Sequence, residues 1–182
     1  FPIYGSELTL GFARNRIEEA GLLDRTEFIP VRDGERRQIG PFDVEFIPAT
    51  HSVPHGFATA FHTPQGTILH SGDFKIDLEP GVGEAFDEAM WREATAGRVR
   101  AFMCDSTNVF SMHPGRSESD LGVEIEKLVA GAPHMVVATT FASNIARLRT
   151  LAQAAHDAGR TVTMMGRAMN TMVQNGFAAK VL

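Results

Sequence analysis

In "SELTLGFARNRIEEA", residues 6–20, Leu8, Phe12, Ile17 and Ala20 recur at roughly helical spacing and Gly21 follows as a stop. That spacing predicts a helix. The pattern then shortens into β-prone runs: "EFIPV" (27–31), "DVEFIP" (43–48), "FATAFHT" (57–63) and "GTILHSG" (66–72). "TPQG", Thr63 to Gly66, carries Pro and Gly at turn positions and joins two of them, so antiparallel hairpins are expected. "VRAFMCD" (99–105) reads as a further, buried strand. Residues 106–118 are rich in Ser, Pro and Gly and read as a loop.

Beyond that loop the period lengthens again. "SESD" (117–120) resembles a capping box ahead of Leu121, Ile125, Leu128 and Val129, and Gly131 closes the run. "HMVVATT" (134–140) reads as a buried strand. "SNIARLRTLAQAAHDAG" (143–159) reads as a helix with Ile145, Leu148, Leu151, Ala152 and Ala155 on one face. Ser143 or Asn144 caps it and Gly159 ends it. "RTVTMMG" gives another strand and "AMNTMVQNGFAAKVL" another helix. Alternation of strand and helix implies a parallel α/β sheet. The chain therefore divides near residue 106: a β-rich part over 1–105 and an α/β part over 106–182.

Composition narrows the function classes. The 182 residues are 43% hydrophobic, enough for a core. A net charge of −5 argues against coating nucleic acid by bulk charge, though not against a local basic groove. Of the 17 basic residues most are Arg, the better fork for phosphate. The single cysteine, Cys104, lies in the run read as a buried strand, where a thiol acts as a small hydrophobe. It forms no disulfide within the chain, which suits a reducing cytoplasm. No apolar run approaches the length of a membrane span. The chain opens with Phe1, and "FPIYGSELT" reads as mid-domain sequence, so a partial chain is expected.

Two runs end in metal-loving side chains. "ATHSVPHG" places His51 after a strand, and "LHSGDFK" places Asp73 after a strand and a glycine. Imidazole and carboxylate suit zinc or manganese. Taken alone, each is more often a structural group: a hydrogen-bonded strand-end His, a turn-capping Asp. Ser143 and its neighbours open a helix whose N–H groups and dipole favour a phosphate. Arg147 lies one turn further in. It reads either as a phosphate ligand or as a solvent-facing Arg beside an ordinary cap.

Five motifs in order, "ATHSVPHG", "LHSGDFKID", "CDSTN", "TTFASNIARLR" and "MGRAMN", resemble the ribonuclease J family over nearly the whole chain. The resemblance implies part of a metallo-β-lactamase αββα sandwich over 1–105, followed by the start of a parallel α/β β-CASP domain over 106–182. It implies a metal-dependent hydrolase of RNA, with endonuclease and 5′-to-3′ exonuclease activity and two zinc ions, manganese being an alternative. His51 matches one metal motif. Asp73 matches the carboxylate that bridges two ions and is catalytic. Asp105 matches an acid near the catalytic centre. The loop Phe141, Ala142, Ser143 and Asn144, with Arg147 beyond it, matches a segment on the path of single-stranded RNA. A cytoplasmic homo-oligomer is implied for the complete protein.

Two departures stand against this. The family's His-x-His-x-Asp-His cluster is absent, since none of the seven histidines pairs with another as His-x-His. The later β-CASP motifs, with two further histidines, are absent as well. The 182 residues by themselves are therefore expected to be inactive and to bind metal poorly. His70 is expected to pack or support rather than ligate. Two other readings remain: a metallo-β-lactamase-fold hydrolase of a small ester or thioester, and a non-catalytic RNA-binding module.

Overall fold

The computed structural model describes every residue of the chain except Pro114. Strands β3 (Arg36–Ile39), β4 (Phe42–Ala49), β5 (Gly56–Thr63), β6 (Gly66–His70) and β7 (Val99–Met103) form one sheet in that order. The first four are antiparallel and β7 joins β6 in parallel. The expected Thr63–Gly66 turn closes the β5–β6 hairpin, with Thr63 opposite Gly66. β1 (Pro2–Gly5) and β2 (Glu27–Pro30) make a separate parallel pair around α1 (Glu7–Glu19).

Period-two alternation gives the sheet two apolar faces. On one, Ile47, Ala49, Ala58, Ala60 and Leu69 are buried with Ala94. The small alanines let α2 (Glu88–Ala94) approach, and Phe74 and Trp91 fill the space. The Trp91 indole N–H donates to the Pro48 carbonyl at 2.9 Å, so its polar edge is satisfied. Asp87 caps this helix by accepting from the Ala89 and Met90 N–H groups. On the opposite face Val44 and Phe46 pack with Val31, Tyr4, Ile39, Phe57 and Phe61. β1, β3 and α2 are short elements that the hydrophobic pattern does not announce.

α3 (Gly122–Gly131), α4 (Ile145–Asp157) and α5 (Arg167–Ala178) follow, close to the predicted helices. A third cluster joins the two parts of the chain: Leu8 and Val82 from the first, Ile145 and Ala146 from the second, with Phe12, Val53, Ala179, Val181 and Leu182 around them.

Three expectations are corrected. Residues 134–140 and 160–166 form no strands and share no ladder. An apolar run specifies a wish for burial, but a strand also needs a neighbour's backbone within hydrogen-bond reach. Here a cavity of about 380 Å³, lined by Val136, Val162, Leu148 and Leu151 among others, lies between them and α4. Met135 and Val137 are left exposed. Secondly, β7 is a sheet edge rather than a buried strand. Its Phe102 and Met103 are about half exposed. Thirdly, Cys104 at its end is exposed and so is not a core residue.

Candidate active site

His51, Asp73 and Asp105 each follow the end of a strand: β4, β6 and β7. These strands end on the same side of the sheet, and the three side chains line one cleft of about 890 Å³. Two sets of hydrogen bonds bring the strand ends together. The Thr50 hydroxyl donates to the Lys75 carbonyl, and the Lys75 N–H returns a bond to the Thr50 carbonyl at 2.7 Å. This ties the His51 segment to the turn that carries Asp73. Ser71, 1% exposed, donates its N–H to the Met103 carbonyl at 2.9 Å, and its hydroxyl accepts the Asp105 N–H at 2.9 Å. This ties the same turn to the end of β7.

Gly72 makes that turn possible. Its φ is +60°, and a Cβ there would lie 3.1 Å from the Phe57 carbonyl oxygen. Any other residue would be strained and crowded against backbone. His70 lies behind the turn, its Nδ1 accepting the Gly72 N–H at 3.1 Å.

Asp105 accepts from both the Thr107 hydroxyl (2.6 Å) and the Thr107 N–H (2.9 Å). These two bonds hold its carboxyl below the usual carboxylate range. Desolvation opposes them weakly, and the Phe74 N–H and His51 assist. Asp105 is thus an ionised, acceptor-only group at neutral pH. Asp73 is exposed to the cleft. The His51 ring sits 3.3 Å from the Ser52 hydroxyl through Nδ1.

The α4 N-terminus forms the facing wall. Asn144, rather than Ser143, is its cap: the Asn144 amide oxygen accepts the Arg147 N–H at 2.9 Å. Asn144 and Ala146 line the cleft with the three side chains of the sheet. Phe141 is 83% exposed at the head of the loop, while Ala142 and Ser143 are half-buried. The free donors are fewer than the sequence suggested, because the Ile145 N–H turns back to the Ser143 carbonyl. Arg147 is already engaged: its guanidinium forks onto Glu118 at 2.5 and 3.3 Å. It is neither solvent-facing nor free for a phosphate.

The donor chemistry suits a hard or borderline cation, but the number of donors does not. Among the described residues no group of three or more His, Cys, Asp or Glu side chains is placed to hold a metal ion. The residues present are a partial shell at most. Thr50, Ser71 and Asp77 were not singled out from sequence. Their only signal was a small hydroxyl or an acid within a few residues of a candidate ligand.

The sequence model described as "Ribonuclease J, beta-CASP domain" matches residues 133–182. The Ribonuclease J of Sinorhizobium meliloti is 38% identical over 177 residues, covering 94% of this chain. That of Mycolicibacterium smegmatis is 39% identical over 171 residues, covering 92%. Over most of its length this chain is therefore similar to part of the ribonuclease J proteins. Ribonuclease J 1 of Streptococcus pyogenes is 35% identical and covers 96% of the chain. The chain spans about 30% of the length of these ribonuclease J relatives. The fold also matches a solved structure from Enterococcus faecalis V583, titled as a protein of unknown function. The TM-score is 0.59 at 17% identity, over 84% of this chain and 39% of that one. That likeness concerns fold alone.

Proposed function

We propose that a protein carrying this chain at its relatives' full length hydrolyses RNA phosphodiesters as a metal-dependent ribonuclease J. The observation that carries the reading is convergence. His51, Asp73 and Asp105 come from three strand ends, yet they line one cleft, opposite the α4 N-terminus. An RNA strand needs such an open trough with helix-end donors for its phosphates, and acids on the other wall suit it once a bound cation offsets their charge.

His51 and Asp73 would hold zinc, or manganese, together with ligands from outside these residues. Bound metal would supply an activated water and offset the charge developing on phosphate. Asp105, ionised and fixed by Thr107, orients polar groups beside the scissile bond. Phe141 stacks on a base, and the loop Phe141–Asn144 takes the phosphate backbone on its remaining donors. The division into a metallo-β-lactamase part over 1–105 and a β-CASP part over 106–182 belongs to this reading. So do endonuclease and 5′-to-3′ exonuclease modes, a homo-oligomer and a cytoplasmic location. No described helix is long and apolar enough to cross a membrane.

A second reading is an RNA-binding module without catalysis, in which the same cleft takes the strand and holds no metal. Chelator-sensitive cleavage of a 5′-monophosphorylated single-stranded RNA separates the two. Binding with no cleavage by the full-length protein would select the module. Cleavage of a small thioester and not of RNA would select the remaining alternative.

A further inference from the structure

The two walls of the cleft come from different parts of the chain, and their spacing must be fixed by something. The cluster around Leu8, Val82, Ile145 and Ala146 holds them together, but apolar contact is non-directional. A polar chain lies beside it. Asp77 is 5% exposed and accepts four hydrogen bonds. The donors are Lys75 Nζ at 2.8 Å, the Ser117 hydroxyl at 2.6 Å, the Glu79 N–H at 3.0 Å and the Glu118 N–H at 3.3 Å. Lys75 Nζ also donates to the Arg116 carbonyl. Glu118 in turn holds Arg147 on the first turn of α4. The chain therefore runs from the loop two residues past Asp73, through a buried carboxylate, to the helix that forms the opposite wall.

We propose that Asp77 is a positioning residue that clasps the Asp73 loop to the 115–121 segment and, through Glu118 and Arg147, sets the position of α4 across the cleft. The role follows from direction. Each of these bonds requires a donor at a particular angle, and charge-assisted bonds in a poorly solvated place tolerate misalignment badly. Loss of the clasp leaves the walls joined through the apolar cluster but free to rock. For the RNA cleavage proposed above, on which this role rests for its purpose, the distance between the acids and the phosphate-facing loop would then vary.

The test uses the whole chain, without RNA or metal. Spin labels on the exposed native Cys104, at the acid wall, and on Gln153→Cys, on α4, report the distance across the cleft. Asp77→Asn keeps the size of the side chain but turns an amide N–H₂ towards the Lys75 and Glu118 donors. Ser117→Ala removes the hydroxyl that reaches Asp77, and Ser117→Thr keeps it. The expected result is one narrow distance population in the parent and in Ser117→Thr, with broadening or a second population in Asp77→Asn and Ser117→Ala. If Asp77→Asn fails to fold by circular dichroism, the Ser117 pair decides. A parent-like distribution in folded Ser117→Ala, or equal broadening in Ser117→Thr, overturns the clasp. Cleavage is assayed separately in the full-length protein. Broadening in a protein that cleaves no RNA would sink the nuclease reading and leave the clasp standing.

Discussion

Replacing Thr50 with Val removes one hydroxyl and almost no volume, at the point where the His51 segment meets the Asp73 turn. The hydroxyl lost is the one that donates to the Lys75 carbonyl, and Thr50 is 8% exposed. The Lys75 N–H bond to the Thr50 carbonyl, at 2.7 Å, is untouched. The Lys75 carbonyl then has a desolvated acceptor with no donor, a change that costs about 1–2 kcal/mol where the site is partly open to water. If the cost is felt locally, the population of the opened turn rises about 5- to 30-fold. Amide hydrogen exchange at Lys75 reads this directly, because its N–H is protected only while the turn is docked on Thr50. Thr50→Ser should keep parental protection. Unchanged exchange at Lys75 in Thr50→Val would refute the view that this staple holds the candidate ligands in register.

Asn144→Ala removes the α4 cap and should destabilise the chain by about 1 kcal/mol. Thermal unfolding should show a Tm lower by about 2–4 °C for a chain of this size. Burial by itself would raise the Asp77 carboxyl, but the bonds from Lys75, Ser117 and the Glu79 N–H, with the Lys75 charge, outweigh it and hold the group below its ordinary 3.8. A lowered carboxyl stabilises the native state fully well above its unfolded value and loses that contribution as pH falls through the lower native one. Urea midpoints should therefore drop between pH 5 and pH 3 by less in Asp77→Asn than in the parent (window on the order of the ordinary carboxylate range); equal drops would remove Asp77 from the acid limb. Phe141→Ala should weaken binding of single-stranded RNA by about 1–3 kcal/mol if the ring stacks on a base, as titration by fluorescence anisotropy would show.

Much of the frame was legible because period decides it. The β4, β5 and β6 strands and the α1, α4 and α5 helices follow from alternation at two and at about 3.6, and the β5–β6 turn follows from Pro and Gly. The runs 134–140 and 160–166 mark the limit of that reasoning. Their apolar content asks for burial, but whether a strand forms depends on a partner that local sequence does not name. Cys104 failed for a related reason: an apolar run was read as central, and its strand lies at the edge. At the site, His51 and Asp73 could be picked out because each follows a strand, and Asp105 only through the resemblance of "CDSTN" to a family motif. Their convergence could not, since it depends on Thr50 and Ser71 pairing across strand ends. Asp77 and Glu118 were invisible for the same reason. Ser117 reads as part of a capping box, but its hydroxyl serves Asp77, its N–H donates to Asp120 at 3.2 Å, and neither the 119–121 turn nor α3 carries a side-chain cap.

Asp73→Asn tests the central claim most directly. The substitution keeps the shape of an exposed side chain at the head of the Gly72 turn and removes only its charge and one acceptor. It should be made in a protein of the relatives' full length, with zinc and manganese content measured beside cleavage of a 5′-monophosphorylated single-stranded RNA. The account predicts a folded protein with reduced metal content and almost no cleavage. Parental metal content together with near-parental cleavage would contradict it.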